Sequence, residues 1–411
     1  MAKIIDIISR EVFDSRADIT LEVEVILNTG NRGRVIIPTG SSIGKYEAIE
    51  VRDNDKNRFD GKGVKCAIDI INKIIKPKIC GLSPFEQESI DNILIELDGT
   101  NNKSHLGANS ILGVSLAVAQ SAAIEKNVYL YEYLKKDDDL FIPQPIFSML
   151  SGGRHGDGNC DFQDFQIIVS NKTNLKDSMQ IGKNIYLKLR DILLKSNMCI
   201  GVSGTGSFMP SLKSNEDGLL LLMEAIYNAG YEVGKEVNLS MDIAAEMFFK
   251  NGKYHLATDG NILSTDDFVT YLKDICNKFP ISLIEDPLAE DDFKGWIALS
   301  QAVGKRIELV GDDLFTTNIE RFKDGLSKGI ANSILIKPNQ IGTVTETINL
   351  VSYAKQVGYK TILSRRSGET EDTSIADLAV ALKTDKVKFG SFARTESLAK
   401  YNRLLRIEEK L

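Results

Sequence analysis

Residues 281–337 read ISLIEDPLAEDDFKGWIALSQAVGKRIELVGDDLFTTNIERFKDGLSKGIANSILIK. Three short apolar runs are set into this stretch, and each ends in a charge. Ile281-Ser-Leu-Ile closes on Glu285, Ile307-Glu-Leu-Val-Gly on Asp312, and Ser333-Ile-Leu-Ile on Lys337. Upstream, Val237-Asn-Leu-Ser-Met closes on Asp242 in the same manner. Solvent can satisfy a charge at one strand tip. Four in series are costly to desolvate unless they converge on a counter-charge, and the C-terminal ends of barrel strands are where barrel enzymes carry their chemistry. Two Asp and one Glu, with no Cys or His among them, form an all-oxygen set suited to a hard cation that keeps water or substrate ligands. Mg2+ is therefore expected over Zn2+.

Outward from this stretch, strand and helix patterns alternate. Strand-like runs fall at Phe165–Val169, Val237–Asp242, Ile281–Glu285, Ile307–Gly311, Ser333–Lys337, Thr361–Ser364 and Val387–Ser391. A helix through Leu189 follows the first, and the stretches Glu216–Ala229, Thr343–Val357 and Thr373–Leu382 lie between later ones. About eight strands with intervening helices predict a β/α barrel over residues 140–411. No Gly-x-Gly-x-x-Gly opens a first unit, which argues against the other arrangement considered, a doubly wound open sheet.

The first part of the chain has a different grain. Leu21, Val23, Val25 and Leu27 alternate along a strand from Thr20 to Asn28, and Arg34–Ile37 reads as its partner across Asn28-Thr-Gly-Asn-Arg-Gly. Helical patterns run from about Gly63 to Ile79 and from Asn109 to Lys126. Strands followed by helices predict a small α+β domain over residues 1–135. The charge run Lys135-Lys-Asp-Asp-Asp, ahead of Pro143 and Pro145, reads as a solvated boundary.

Composition narrows the partners. The 411 residues carry a net charge of -7 and a pI near 5.3, so no general attraction to nucleic acid or an anionic membrane is expected. Cys66, Cys80, Cys160, Cys199 and Cys276 are odd in number and hold no Cys-x-x-Cys pair, which speaks against a disulfide framework and a zinc site. With no signal pattern at Met-Ala-Lys-Ile-Ile-Asp and no apolar span of roughly 18 residues, a soluble cytoplasmic protein is expected.

Beyond the lysine strand stands Ser364-Arg-Arg-Ser-Gly-Glu-Thr-Glu-Asp, in which Arg366 and Ser367 read as a phosphate cradle at a strand-to-helix turn. Lys388, in Val-Lys-Phe-Gly-Ser, adds a second cation on the same barrel face. Carboxylates for a metal, a lysine base and a phosphate cradle together describe a site for a small phosphorylated carboxylic acid.

At this point the chain resembles the enolases over essentially its full length. The resemblance is carried by Pro38-Thr-Gly-Ser-Ser-Ile-Gly, Glu96-Leu-Asp-Gly-Thr-Asn-Asn-Lys, Leu106-Gly-Ala-Asn-Ser-Ile-Leu-Gly-Val-Ser-Leu-Ala, Ile284-Glu-Asp-Pro-Leu-Ala-Glu-Asp-Asp, Val310-Gly-Asp-Asp-Leu-Phe, Leu335-Ile-Lys-Pro-Asn-Gln-Ile-Gly-Thr, Arg366-Ser-Gly-Glu-Thr-Glu-Asp and the tail from Ala399. It implies an N-terminal α+β domain capping an eight-stranded barrel, usually in a homodimer or higher homo-oligomer. It also implies a phosphopyruvate hydratase, a carbon–oxygen lyase of glycolysis. By matching position, Asp242, Glu285 and Asp312 become ligands of a first Mg2+, Ser42 a ligand of a second, and Lys337 the base. Gln163, Arg366, Ser367 and Lys388 would hold substrate, with His155 close by. A lysine of depressed pKa cannot by itself remove a proton next to a carboxylate, because the product is a dianion that needs cations.

The pattern breaks where the second half-reaction needs an acid. Enolases carry Asp-Glu-Gly-Gly-Phe there; this chain has Gly204-Thr-Gly-Ser-Phe, which puts Thr205 at the position of the missing acid. A family Glu is shortened to Asp164, the family His before the phosphate-binding Arg is Arg365, and a small residue before His155 is Arg154. Ala17-Asp-Ile replaces a family Gly-Asn-Pro, without an assignable consequence. Weak ordinary dehydration is expected. The alternatives are a relative in phosphonate metabolism resembling carboxyphosphonoenolpyruvate synthase, whose extra anionic group would meet Arg154 and Arg365, or a non-catalytic binding or scaffold protein. Turnover assays with several phosphorylated acids separate these.

Overall fold

The computed structural model describes residues 1–40, 44–170 and 172–411. The chain opens with an antiparallel sheet of β1 (Ile4–Phe13), β2 (Ile19–Leu27) and β3 (Arg32–Ile36), in the order β1-β2-β3. β1 was not legible in the sequence. A register shift between Ile4 and Asp6 breaks its alternation, leaving Ile4 and Ile7 buried three residues apart. The largely buried helix Ala108–Glu125 lies against β2 and β3. It approaches so closely that a Cβ on Gly33 would sit 2.3 Å from the Ala117 carbonyl oxygen. The expected helix over Gly63–Ile79 is interrupted by a π-type turn at Ile71–Ile75, before Pro77. Proline has no N–H to continue the ladder. Helices Gln87–Asp98 and Leu130–Leu134 complete this part.

Eight strands then close a barrel. β4 (Gln144–Ser151), β5 (Asp164–Val169) and β6 (Val237–Asp242) are followed by a small antiparallel sheet of β7 (Phe249–Lys250), β8 (Lys253–Leu256) and β9 (Asn261–Leu263). The barrel resumes with β10 (Ile281–Glu285), β11 (Glu308–Gly311), β12 (Ser333–Ile336), β13 (Lys360–Ser364) and β14 (Lys386–Gly390). Its order is β10-β11-β12-β13-β14-β4-β5-β6, closing back on β10.

Two features differ from a strictly alternating barrel. β4 lies where the prolines read as linker. Pro145 is accommodated because pairing with β5 begins only at Ile146, so the missing N–H is not required there. β5 runs antiparallel to both β4 and β6, and helices Leu175–Lys195 and Asn215–Asn228 come together before β6.

Ile146, Ile168, Leu283, Val310, Leu335 and Ile362, one from each of six strands, form a cluster apart from the main core and fill the barrel interior. Side chains alternate along a strand, so the residue two places on faces the same way. From these six positions the rule leads to Ser148, Glu285, Asp312, Lys337 and Ser364. In the reversed β5 it leads backwards, through Gln166 to Asp164. One end of the barrel is thereby capped by a layer of polar and charged side chains. Among the described residues no helix is long and apolar enough to cross a membrane.

Candidate active site

In that layer Asp242, Glu285 and Asp312 are all buried, and each has a cation partner. Lys388 Nζ donates to Asp242 Oδ2 at 2.8 Å and to Glu285 Oε2 at 2.7 Å. Lys337 is paired with Asp312. Gln163 Nε2 donates to Asp242 at 3.1 Å, and Gln340 Nε2 to Asp312 at 3.1 Å. Burial drives Glu285 well above the ordinary carboxylate range, and the neighbouring Asp242 adds to this. Burial also opposes charge on Asp242, but Lys388 outweighs it and holds that acid low.

The sequence reading invoked a lysine of depressed pKa; the structure reverses it for Lys337. Burial works most strongly against its charge, yet Asp312 together with Glu285 and Glu47 offsets it and holds the lysine above its ordinary value. Lys388 is raised for the same reason by Asp242 and Glu285.

Asp286 and Asp313, absent from the sequence reading, line the same pocket. Carboxylate oxygens of Asp286, Asp312 and Asp313 lie within 4.8 Å of one another. Asp286 has a brace role: its two oxygens accept the backbone N–H groups of Asp312 and Asp313, each at 2.8 Å. Those bonds fix a turn whose Asp286 has φ 40°, an unusual angle for a residue with a side chain. Burial and the adjacent Asp312 push Asp313 up to about 7. The expected donor set of Asp242, Glu285 and Asp312 is looser, since among the described residues these three do not form a group with oxygens within 4.8 Å of one another. It is all oxygen, and three buried carboxylates face two ammonium groups. Ser42, the expected ligand of a second ion, lies outside the described residues.

Arg366 and Ser367 follow β13, and the helix expected from Thr373 begins at Ser374, seven residues beyond Ser367. The intervening loop is held by Glu369, which accepts the Arg366 N–H at 3.0 Å and pairs with Lys400 at 2.7 Å. The cradle is therefore a braced loop, not a helix N-terminus. The N-terminal domain reaches into it. Glu47 accepts from Arg366 Nη1 at 2.8 Å, and Arg16 Nη1 donates to Ser367 Oγ at 3.3 Å. More than 300 residues separate the members of each pair, so no local pattern could have revealed them.

Where the acid is missing stands a cluster of hydroxyls. Thr205 Oγ1 lies 2.7 Å from Ser203 Oγ and 3.2 Å from Ser151 Oγ, and it also contacts Ser207. Five consecutive carbonyls pin this segment. Those of Val202 and Ser203 accept from Arg394, Gly204 from Arg365, Thr205 from the Ser391 N–H and Gly206 from the Tyr186 hydroxyl. Asp164, bonded to Ser148 and Gln166, is pushed by burial up to about 6. His155 lines the pocket, and burial lowers it to about 4, so it is neutral at pH 7. Arg154 is exposed and does not line the pocket, so it does not join the other expected substrate residues.

Residues 4–134 match the family described as enolase, N-terminal domain, and residues 139–411 match enolase, C-terminal TIM barrel domain.

Proposed function

From the premise that the chain belongs to the enolase family, we propose that it is a Mg2+-dependent lyase. Its substrate is 2-phosphoglycerate or a close phosphorylated or phosphonate carboxylic acid. The observation that carries this reading is the convergence of three carboxylates and two lysines in one layer at one end of the barrel.

Lys337 is the base that takes the proton from the carbon next to the carboxylate. It gives up its own proton most readily when Asp312 is otherwise engaged, since that carboxylate is the foremost of those that keep the ammonium charged. Mg2+ held by Asp242, Glu285 and Asp312, with a second ion near Ser42, would supply the positive charge that a carboxylate dianion requires. Arg366 and Ser367 receive the phosphate, and Arg16 fixes the Ser367 hydroxyl. Gln163 and Lys388 orient the carboxylate end, beside a neutral His155.

The second half-reaction expels hydroxide, a poor leaving group without a proton donor. Thr205 is no acid near neutrality, and Asp164 is tied to Ser148 and Gln166. Ordinary dehydration is therefore weak. In D2O with Mg2+, deuterium is expected at C2 of 2-phosphoglycerate faster than phosphoenolpyruvate forms, and Lys337→Ala stops the exchange. Substrate that binds without exchange at C2 would remove Lys337 as base. The same reading takes residues 1–135 as the capping domain and 140–411 as the catalytic barrel of a cytoplasmic homodimer or higher homo-oligomer.

A further inference from the structure

Among the described residues, every cation that lines the pocket has a carboxylate in direct contact except one. Lys388 is answered by Asp242 and Glu285, Lys337 by Asp312, and Arg366 by Glu47. Arg365 is only 5% exposed and forms no ion pair among the described residues. Its Nη2 donates to the Gly204 carbonyl at 3.0 Å and its Nη1 to Ser397 Oγ at 3.3 Å. Both are dipoles without net charge, and a buried guanidinium whose direct partners are all neutral is costly, burial here holding it below its ordinary value despite more distant carboxylates. Its surroundings leave room for a counter-charge. A Cβ on Gly204 would meet nothing closer than the Ser367 carbonyl at 3.8 Å, and the facing Thr205 segment carries hydroxyls in place of acids. Three carboxylates, Glu369, Glu396 and Asp164, act on Arg365 from beyond hydrogen-bond reach; Glu369 is paired with Lys400, and Asp164 accepts from Ser148 and Gln166.

We propose that the substrate carries a second anionic group on C3, which Arg365 receives at the Thr205 end of the pocket. The inference rests on the proposed function, because that reading is what sets C3 at this end. Arg365 is then a specificity residue, selecting a C3-acidic phosphorylated acid over one that ends in a neutral group. Arg154, on the exposed turn outside the pocket lining, takes no part.

Two ligands that differ only at C3 decide the matter. 2-Phospholactate ends in a methyl group, and O-phosphomalate bears a carboxylate on the same carbon. Titrated calorimetrically into the full chain with Mg2+, phosphomalate is expected to bind roughly 10- to 100-fold more tightly, the range of a hydrogen-bonded charge pair. Arg365→Gln should abolish that preference and Arg365→Lys should keep part of it. Thr205→Glu, in a separate loop, should lose it by repulsion and decides the case if the buried arginine cannot be replaced without unfolding. Equal binding of the two ligands, or a preference that survives Arg365→Gln or Thr205→Glu, overturns the subsite while 2-phospholactate binding leaves the proposed function standing. Binding of neither ligand overturns the proposed function and the subsite with it.

Discussion

The Lys337 ammonium is ion-paired with the Asp312 carboxylate, so the proposed base and a proposed metal ligand share one contact. Burial opposes the charge of the lysine, and Asp312 is the foremost of the three carboxylates, with Glu285 and Glu47, that offset it. In Asp312→Asn the foremost counter-charge is gone while burial remains, and the pKa of Lys337 should fall below its ordinary value. An NMR titration of 15N-labelled lysine in the metal-free protein measures this. A Lys337 pKa unchanged by the substitution would mean that Asp312 does not control the base.

Asp242→Ala tests the cation site from the opposite wall. It removes one of the three proposed oxygen donors and leaves Lys388 with Glu285 alone. Tight Mg2+ binding should be lost in calorimetry, and with it any C2 exchange. Retained affinity would shift the ion to the neighbouring group of Asp286, Asp312 and Asp313.

The barrel and most of this layer were legible because each site residue on the parallel strands continues an apolar run, and two-residue alternation carries that run inward to the tip. Glu285, Asp312 and Lys337 are all of this kind; Asp242 also ends an apolar run, but its neighbour two places back is Ser240, which bonds Gln166. β4 was hidden because Pro145 reads as a break, and β1 because a bulge spoils its period. Asp286 and Asp313 stand directly beside expected ligands, and the paired acids Glu285-Asp286 and Asp312-Asp313 were the available signal. Glu47 and Arg16 carried none, since a contact between domains leaves no trace in local spacing.

Asp164 gives a prediction in pH. Burial raises it from an ordinary 3.8 to about 6, so the folded state binds its proton more tightly than the unfolded state does. For an acid raised in this way, its contribution to stability is greatest below about pH 4 and is lost as pH rises to about 6. The total is about 3 kcal/mol, from ~1.4 kcal/mol per pH unit. Asp164→Asn should flatten the stability profile between pH 4 and 6, as read by urea denaturation at several pH values. A slope equal to that of the unaltered protein would show that Asp164 is ionised throughout.

Dehydration of 2-phosphoglycerate should run roughly 10²- to 10⁴-fold slower than in an enolase that keeps its acid, the range lost with a general acid. Gly204→Asp with Thr205→Glu should recover part of the rate. Gly204 has room for a side chain, whereas an acid at Thr205 must displace contacts with Ser203, Ser207 and Ser151. A coupled absorbance assay for phosphoenolpyruvate reads both proteins. Turnover of the unaltered chain at the ordinary level would show that another group already protonates the leaving hydroxide.

Glu47 and Arg366 form an ion pair across the two domains, with side chains only 4% exposed. Removing one partner of such a pair leaves an uncompensated buried charge and typically costs about 3–5 kcal/mol. In Glu47→Gln the guanidinium keeps a hydrogen-bond acceptor but loses its directly paired counter-charge, with Asp312 and Glu50 still acting on it, so chemical denaturation should show a loss near the lower end of that range. A phosphorylated ligand bound at Arg366 would supply the missing negative charge. 2-Phosphoglycerate with Mg2+ should therefore raise the midpoint of Glu47→Gln more than that of the unaltered protein. Equal ligand-induced shifts in the two proteins would mean that the ligand phosphate does not meet Arg366, and the cradle would have to be sought elsewhere in the loop.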